Sequence, residues 1–133
     1  MSAERAIYID SSAIVKLAVA ESESPALRRY LRRRTPLVVS ALARTEVSRA
    51  LLPLGPAAVR RGHEVLSRVD LIRVSDRILQ EAGALLPAEL RSLDAIHLAT
   101  MRQLGGSLRR LVTYDSRMAA AVSAMGMTAV APA

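Results

Sequence analysis

Four acidic side chains stand where an ordinary protein surface would not put them, and their type limits the chemistry open to this sequence. Asp10 closes the apolar run Ala6-Ile7-Tyr8-Ile9, and Asp115 comes two residues after Thr113, at the end of a second apolar run. Glu46 is flanked at helical spacing by Ala43 and Ala50, which aims it at the rim of an apolar face. Asp94 belongs to Leu93-Asp94-Ala95-Ile96-His97-Leu98-Ala99-Thr100-Met101, a helical stretch with almost no polar face, so it is expected to be buried on most sides. Each acid also has an ordinary structural explanation. Asp10 and Asp115 each precede a helix and could be N-caps, although Ser11 and Ser12 already offer caps beside Asp10. Glu46 could pair with Arg44 or Arg49, and Asp94 could answer the positive end of its own helix.

Carboxylates gathered at one place repel each other. A like-charge pair at about 4 Å costs on the order of 4 kcal/mol at an effective dielectric of about 20. Protonation or a divalent cation relieves this. An all-oxygen donor set favours Mg²⁺ or Mn²⁺ over Zn²⁺, and the absence of cysteine agrees. Such an ion activates water against a phosphodiester.

Strand-like and helix-like segments alternate around these acids. Short apolar strands are expected at residues 6–10, 37–39, 71–74, 110–113 and 128–130. Helices are expected at 13–20, from Ser24-Pro25 onward, from a Ser40 cap to about Leu52, at 57–69, from Ser75 or Asp76 to about Leu86, at 93–104 behind a Ser92 cap, and at 116–124. This alternation predicts an α/β domain with a mostly parallel sheet and helices on both faces. Ligands bind such sheets beyond the carboxyl ends of the strands, where Asp10 and Asp115 fall.

The 133 residues suit one domain, 1–133, and carry 19 basic against 12 acidic side chains, a net +7. All the basic residues but Lys16 are arginine, whose forks match phosphate oxygens, so a polyanionic partner fits better than a cationic substrate. Aromatic residues are scarce and all tyrosine, which predicts an aliphatic core. No apolar run approaches the ~20 residues that cross a bilayer, and the polar opening segment Met1 to Arg5 lacks a signal-peptide core. The expectation is a cytoplasmic protein without a membrane partner.

The order and context of the acids resemble the PIN-domain nucleases, and among them the VapC-type toxins of bacterial toxin–antitoxin pairs. The resemblance rests on Tyr8 to Leu17, Ala43 to Val47, Leu93 to Thr100 and Leu111 to Met118, and so covers nearly the whole chain. It implies a three-layer α/β/α fold, Mg²⁺-dependent endoribonuclease activity, a homodimer and inhibition by a cognate antitoxin. It also implies that Asp10, Glu46, Asp94 and Asp115 are the catalytic, metal-binding acids. Ser12 and Thr113 then orient ligand carboxylates or a bound water. Ser11 stands where the family usually has threonine.

Arg117, two residues after Asp115, is a candidate for touching substrate phosphate. Arg32-Arg33-Arg34 is a helix end that could track a backbone, and Met118, Met125 and Met127 suggest a flexible core or a dimer face. His97 is expected to be a packing or hydrogen-bonding residue of its helix, and His63 to be solvated. A receiver domain would need a lysine after its last strand, and a haloacid-dehalogenase-type phosphatase a second Asp at position 12; neither is present. The remaining alternative is a PIN-type nuclease acting in RNA processing or on structured DNA. With so few histidines, hydrolysis by a metal-activated water is expected to leave 5′-phosphate and 3′-hydroxyl ends.

Overall fold

The computed structural model describes residues 5–133, so all but Arg5 of the polar opening segment lies outside it. Five strands, β1 (Ala6–Ile9), β2 (Leu37–Ser40), β3 (Asp70–Ile72), β4 (Leu108–Val112) and β5 (Ala129–Val130), form one sheet in the order β3-β2-β1-β4-β5. Every neighbouring pair is parallel, with Ile7 opposite Leu37 on one side and Arg110 on the other. Helices α1 (Ser11–Ala18), α2 (Ser24–Leu31), α3 (Ala43–Leu51), α4 (Pro56–Leu66), α5 (Asp76–Gly83), α6 (Ser92–Leu104) and α7 (Ser116–Ala124) make the crossovers. The result is the three-layer α/β/α fold expected from the alternation.

β1 lies at the centre and is buried along its whole length, as its continuous apolar run requires. Ile7, Ile9 and Ile14 are essentially inaccessible, each contributing roughly 1.5–3 kcal/mol by burial. The core is not purely aliphatic: Tyr8, 0% exposed, is its largest fully buried side chain. Helices α1, α3 and α4 pack on one another, and α5 packs on α6 through Ile78, Ala82, Ala95 and Ala99. Gly62 permits the close approach of α4 to α3, since a Cβ there would stand 2.6 Å from Leu51 Cδ1.

The caps differ from those expected. Asp10, not Ser11 or Ser12, caps α1, because its extended backbone lets the carboxylate accept from Ala13 N. Ser40 is the last residue of β2, with its hydroxyl turned to Leu42 N, and α3 starts at Ala43 with no side-chain cap. Ser92 is the first residue of α6 and Arg91 stands in the cap position. The third and fifth strands are shorter than expected, α4 stops at Leu66, and α5 ends at Gly83 rather than near Leu86. From β1 the chain steps outward through β2 to β3 on one side, whereas β4 and β5 lie on the other. The order therefore reverses between β1 and β4, and the crevice beyond their carboxyl ends is where such folds bind ligands.

Candidate active site

Asp10 and the segment Thr113–Asp115 leave the sheet side by side from β1 and β4, and two hydroxyls join them. Ser12 Oγ donates to Asp10 Oδ1 (2.6 Å), which also accepts from Ala13 N (3.2 Å). Thr113 Oγ1 donates to Asp10 Oδ2. In turn Ser12 Oγ accepts from Tyr114 N (2.9 Å), and Thr113 Oγ1 accepts from Asp115 N (3.0 Å). Both hydroxyls thus hold the buried carboxylate: Ser12 also ties the Asp10 segment to the backbone after β4, and Thr113 also holds the backbone of its own turn. Asp115 caps α7, its Oδ1 accepting from Arg117 N (2.9 Å) and Met118 N (3.3 Å). Both aspartates therefore do cap helices, the ordinary explanation open to each.

Capping does not account for the burial of Asp10, which is only 6% exposed. Burial pushes its carboxyl above the usual aspartate range, against the opposing hydrogen bonds from Ser12, Thr113 and Ala13. Among the described residues, no basic side chain lies within 4.0 Å of Asp10, Asp94 or Asp115. Asp10 is therefore a desolvated carboxylate held by donors and lacking a counter-charge.

Glu46, in the first turn of α3 and half-buried, pairs with neither Arg44 nor Arg49. Its Oε1 accepts from Ser11 Oγ (2.9 Å) and from His97 Nε2 (2.7 Å). His97 is 3% exposed, and its Nδ1 is 2.6 Å from the Tyr8 hydroxyl. That hydroxyl already accepts from Ser40 N (3.0 Å), so its own proton goes to His97 Nδ1. Burial pushes the Tyr8 phenol well up from its usual value and keeps it a donor. The imidazole proton then belongs on Nε2, facing Glu46. Burial acts to raise the Glu46 carboxyl, but the contacts from His97 and Ser11 outweigh it and hold Glu46 below the usual glutamate range. A continuous chain runs from the β2 backbone through Tyr8 and His97 to Glu46.

Asp94, in the first turn of α6, is covered on most sides as expected, although its neighbour Leu93 is 49% exposed at the edge of the molecule. It precedes His97 by three residues and so shares a helix face with it. Ser11 adjoins Asp10, and Tyr8 and Asp10 are alternate residues of one segment, so all four acids belong to the same edge of the sheet. As placed they do not close: among the described residues, no three His, Asp or Glu side chains stand together as an ion's ligands. Glu46 Oε2 and Asp115 Oδ2 make no hydrogen bond to the described residues, nor does Asp94, and together with Asp10 they offer oxygen donors only. That set fits a hard cation, and Mg²⁺ needs only one or two carboxylates with waters completing its shell. Arg117 is exposed at the start of α7, beside Asp115.

Sequence reasoning missed Tyr8; it gave His97 as a packing or hydrogen-bonding residue, as it is, but not its partners. The one available signal was pairing: a tyrosine in an otherwise aliphatic central strand and a histidine in an apolar helix each need a polar partner when buried. His63, as expected, is exposed, and contacts Ser48 Oγ at 3.3 Å.

A parallel sheet with acids at the topological switch defines an α/β/α fold that other proteins share. VapC20 of Mycobacterium tuberculosis, a sarcin–ricin-loop-cleaving toxin, superposes with a TM-score of 0.73 at 21% identity over 95% of this chain and 99% of its own. A chain of a toxin–antitoxin complex from Klebsiella pneumoniae gives 0.71 at 22% identity, over 96% and 98%. Residues 7–123 match the PIN domain family. Ribonuclease VapC46 of M. tuberculosis is 61% identical over 127 residues, 96% of this chain and 98% of its own length. Ribonuclease VapC35 of the same species is 42% identical over 130 residues, 95% and 96% respectively. The chain belongs to the PIN-domain family, in its VapC ribonuclease branch.

Proposed function

We propose that the protein is a Mg²⁺-dependent endoribonuclease, the toxin of a toxin–antitoxin pair acting in the cytoplasm as a homodimer, with Mn²⁺ able to replace Mg²⁺. The observation that carries the reading is Asp10, buried, ringed by donors and without a basic partner among the described residues, at the switch point of the sheet. Asp10, Glu46, Asp94 and Asp115 would hold the ion. Bound there, it supplies charge neutralisation at the scissile phosphate and a water of lowered pKa.

The chain's own residues perform the rest. Ser12 and Thr113 fix the Asp10 carboxylate, and His97 and Ser11 fix Glu46 so that its Oε2 remains to face the site. Arg117 meets substrate phosphate. A water oxygen bonds to phosphorus in line with the 3′ oxygen, the P–O3′ bond breaks, and the leaving oxygen takes up a proton. The products carry a 5′-phosphate and a 3′-hydroxyl. The competing route through the substrate's 2′-hydroxyl needs a free general acid and base, usually a histidine pair. Here both ring nitrogens of His97 are spent on Tyr8 and Glu46, and His63 lies on α4 against Ser48.

Cleavage of labelled RNA should stop in excess EDTA and return with Mg²⁺ or Mn²⁺, and Asp10→Asn should fold without cleaving. End analysis should find no 2′,3′-cyclic phosphate. Full activity in EDTA would refute the metal site, and a cyclic phosphate the hydrolytic mechanism. The acid-lined crevice also suits a guanidinium fork, so a cognate antitoxin is expected to place an arginine there and suppress cleavage on co-expression.

A further inference from the structure

Eight of the arginines converge on the sheet edge opposite the acids. Arg5 immediately precedes β1, Arg28, Arg29, Arg32, Arg33 and Arg34 belong to the end of α2 and the segment leading to β2, and Arg109 and Arg110 lie at the start of β4. Because β2, β1 and β4 are adjacent and parallel, their amino-terminal ends lie side by side. Contacts join the three groups. Arg110 donates to the Tyr30 hydroxyl (2.8 Å), the Arg34 guanidinium stacks 4.0 Å from the Tyr30 ring centroid, and Arg5 donates to Leu108 O (3.1 Å). Arg5, Arg28, Arg29, Arg32, Arg33 and Arg109 are exposed.

Nothing described neutralises this cluster. The ion pairs among the described residues join Lys16 to Glu21 and Glu23, Arg77 to Glu81 and His97 to Glu46, and none reaches these arginines. Guanidinium groups crowded without carboxylates favour a polyanion. Among the described residues the one aromatic ring in the cluster, Tyr30, is covered by Arg34, and no large exposed hydrophobic lies here, so they offer no apolar anchor of the kind a protein partner or a lipid surface would use.

We propose that this edge is a second RNA-binding surface, a phosphate clamp separate from the crevice, which selects folded RNA over short single strands. The inference rests on the RNA substrate proposed above. The strands between the two edges have four or five residues, so the clamp and the crevice lie about 15 Å apart at roughly 3.3 Å per residue. The two open at opposite ends of the parallel strands, so a short strand seated in the crevice does not face the clamp, whereas a larger folded RNA presents phosphates to both.

The test compares Asp10→Asn with the same protein also carrying Arg29→Gln, Arg32→Gln, Arg33→Gln and Arg109→Gln. Binding of labelled total tRNA and of a short random oligoribonucleotide is measured by anisotropy across salt concentrations, with circular dichroism confirming the fold. The tRNA affinity should fall at least tenfold and its log–log salt slope should shrink by about 0.9 per lost phosphate contact, while oligonucleotide binding is unchanged. Unchanged tRNA affinity and slope would overturn the clamp. So would equal losses on both probes, or losses only on vesicles of phosphatidylserine and phosphatidylcholine. Arg→Lys at the same four positions should keep most of the slope, which separates lost charge from damaged structure. If the wild type cleaves no RNA but binds tRNA through this edge, the nuclease assignment fails and the clamp stands. If it cleaves RNA and the quadruple variant binds tRNA like its parent, the clamp alone fails.

Discussion

Replacing His97 tests whether the buried chain from Ser40 N to Glu46 positions Glu46 for the catalysis proposed above. His97 Nε2 lies 2.7 Å from Glu46 Oε1, a hydrogen bond to a charged group, and such bonds contribute about 1.5–3 kcal/mol. If the orientation of Glu46 matters only as charge develops on the phosphate, His97→Ala loses that amount from the transition state. At about 1.4 kcal/mol per decade this is roughly 10- to 150-fold in kcat with KM little changed. Tyr8→Phe acts one step further back. It removes the donor to Nδ1 and leaves the buried Ser40 N–H without its acceptor, costing about 1–3 kcal/mol of stability. Two-bond ¹⁵N correlations in the metal-free protein read the ring directly. The wild type should carry its proton on Nε2, and Tyr8→Phe should release the tautomer. His97→Gln, whose amide can still donate toward Glu46, should recover part of kcat. A wild type protonated on Nδ1, or a folded His97→Ala with normal kcat, would refute the positioning role.

Other consequences can be checked separately. Thr113→Val removes the donor to Asp10 Oδ2 and the acceptor for Asp115 N, so Mn²⁺ affinity measured by electron paramagnetic resonance should fall roughly 10- to 100-fold in a folded protein. Arg117→Gln should raise KM on RNA and leave thermal stability unchanged, since its side chain is exposed. The Lys16–Glu23 contact (2.9 Å) raises the Lys16 ammonium and lowers the Glu23 carboxyl, chiefly by the hydrogen bond between them. A lowered acid stabilises the fold above its unfolded value and loses this as pH falls through the folded one. A raised lysine does so below its unfolded value and loses it as pH rises. Glu23→Gln should therefore lower the melting temperature slightly at neutral pH, and the difference from wild type should vanish in strong acid and in strong base.

The layering, the parallel strands and the sheet edge carrying the acids were legible in the sequence because short apolar runs ending in Asp10 and Thr113 dictate them. Helix starts were less legible. Ser40 and Ser92 are good capping residues, yet β2 pairing keeps Ser40 extended, and α6 takes Ser92 as its first residue. Propensity gave way to tertiary context. At the site, the four acids were visible as local anomalies, but their partners were not. Glu46 is 51 residues from His97, and Tyr8 is 89 residues from it. Nearby Arg44 and Arg49 looked the better partners, because helical spacing shows neighbours along one helix and nothing of what the sheet brings to it. Asp94 was more legible: the apolar run around it covers it on most sides, and only Leu93 at the start of that run is exposed.

In the proposed mechanism Asp10 is both a structural cap and a metal ligand, and its geometry lets the two roles coexist. Capping uses Oδ1, toward Ala13 N and Ser12, while Oδ2 takes a single hydrogen bond from Thr113 and keeps a lone pair. Its burial costs stability in the metal-free protein, where desolvation disfavours the charged form and no described cation compensates. A cation that binds only the folded state offsets that cost and stabilises the fold by mass action. Asp10→Asn retains the shape and an acceptor for Ala13 N but has no charge to desolvate. It should therefore melt at or above the metal-free wild type, and Mg²⁺ should raise the melting temperature of the wild type only. A rise of equal size in both proteins would place the ion elsewhere.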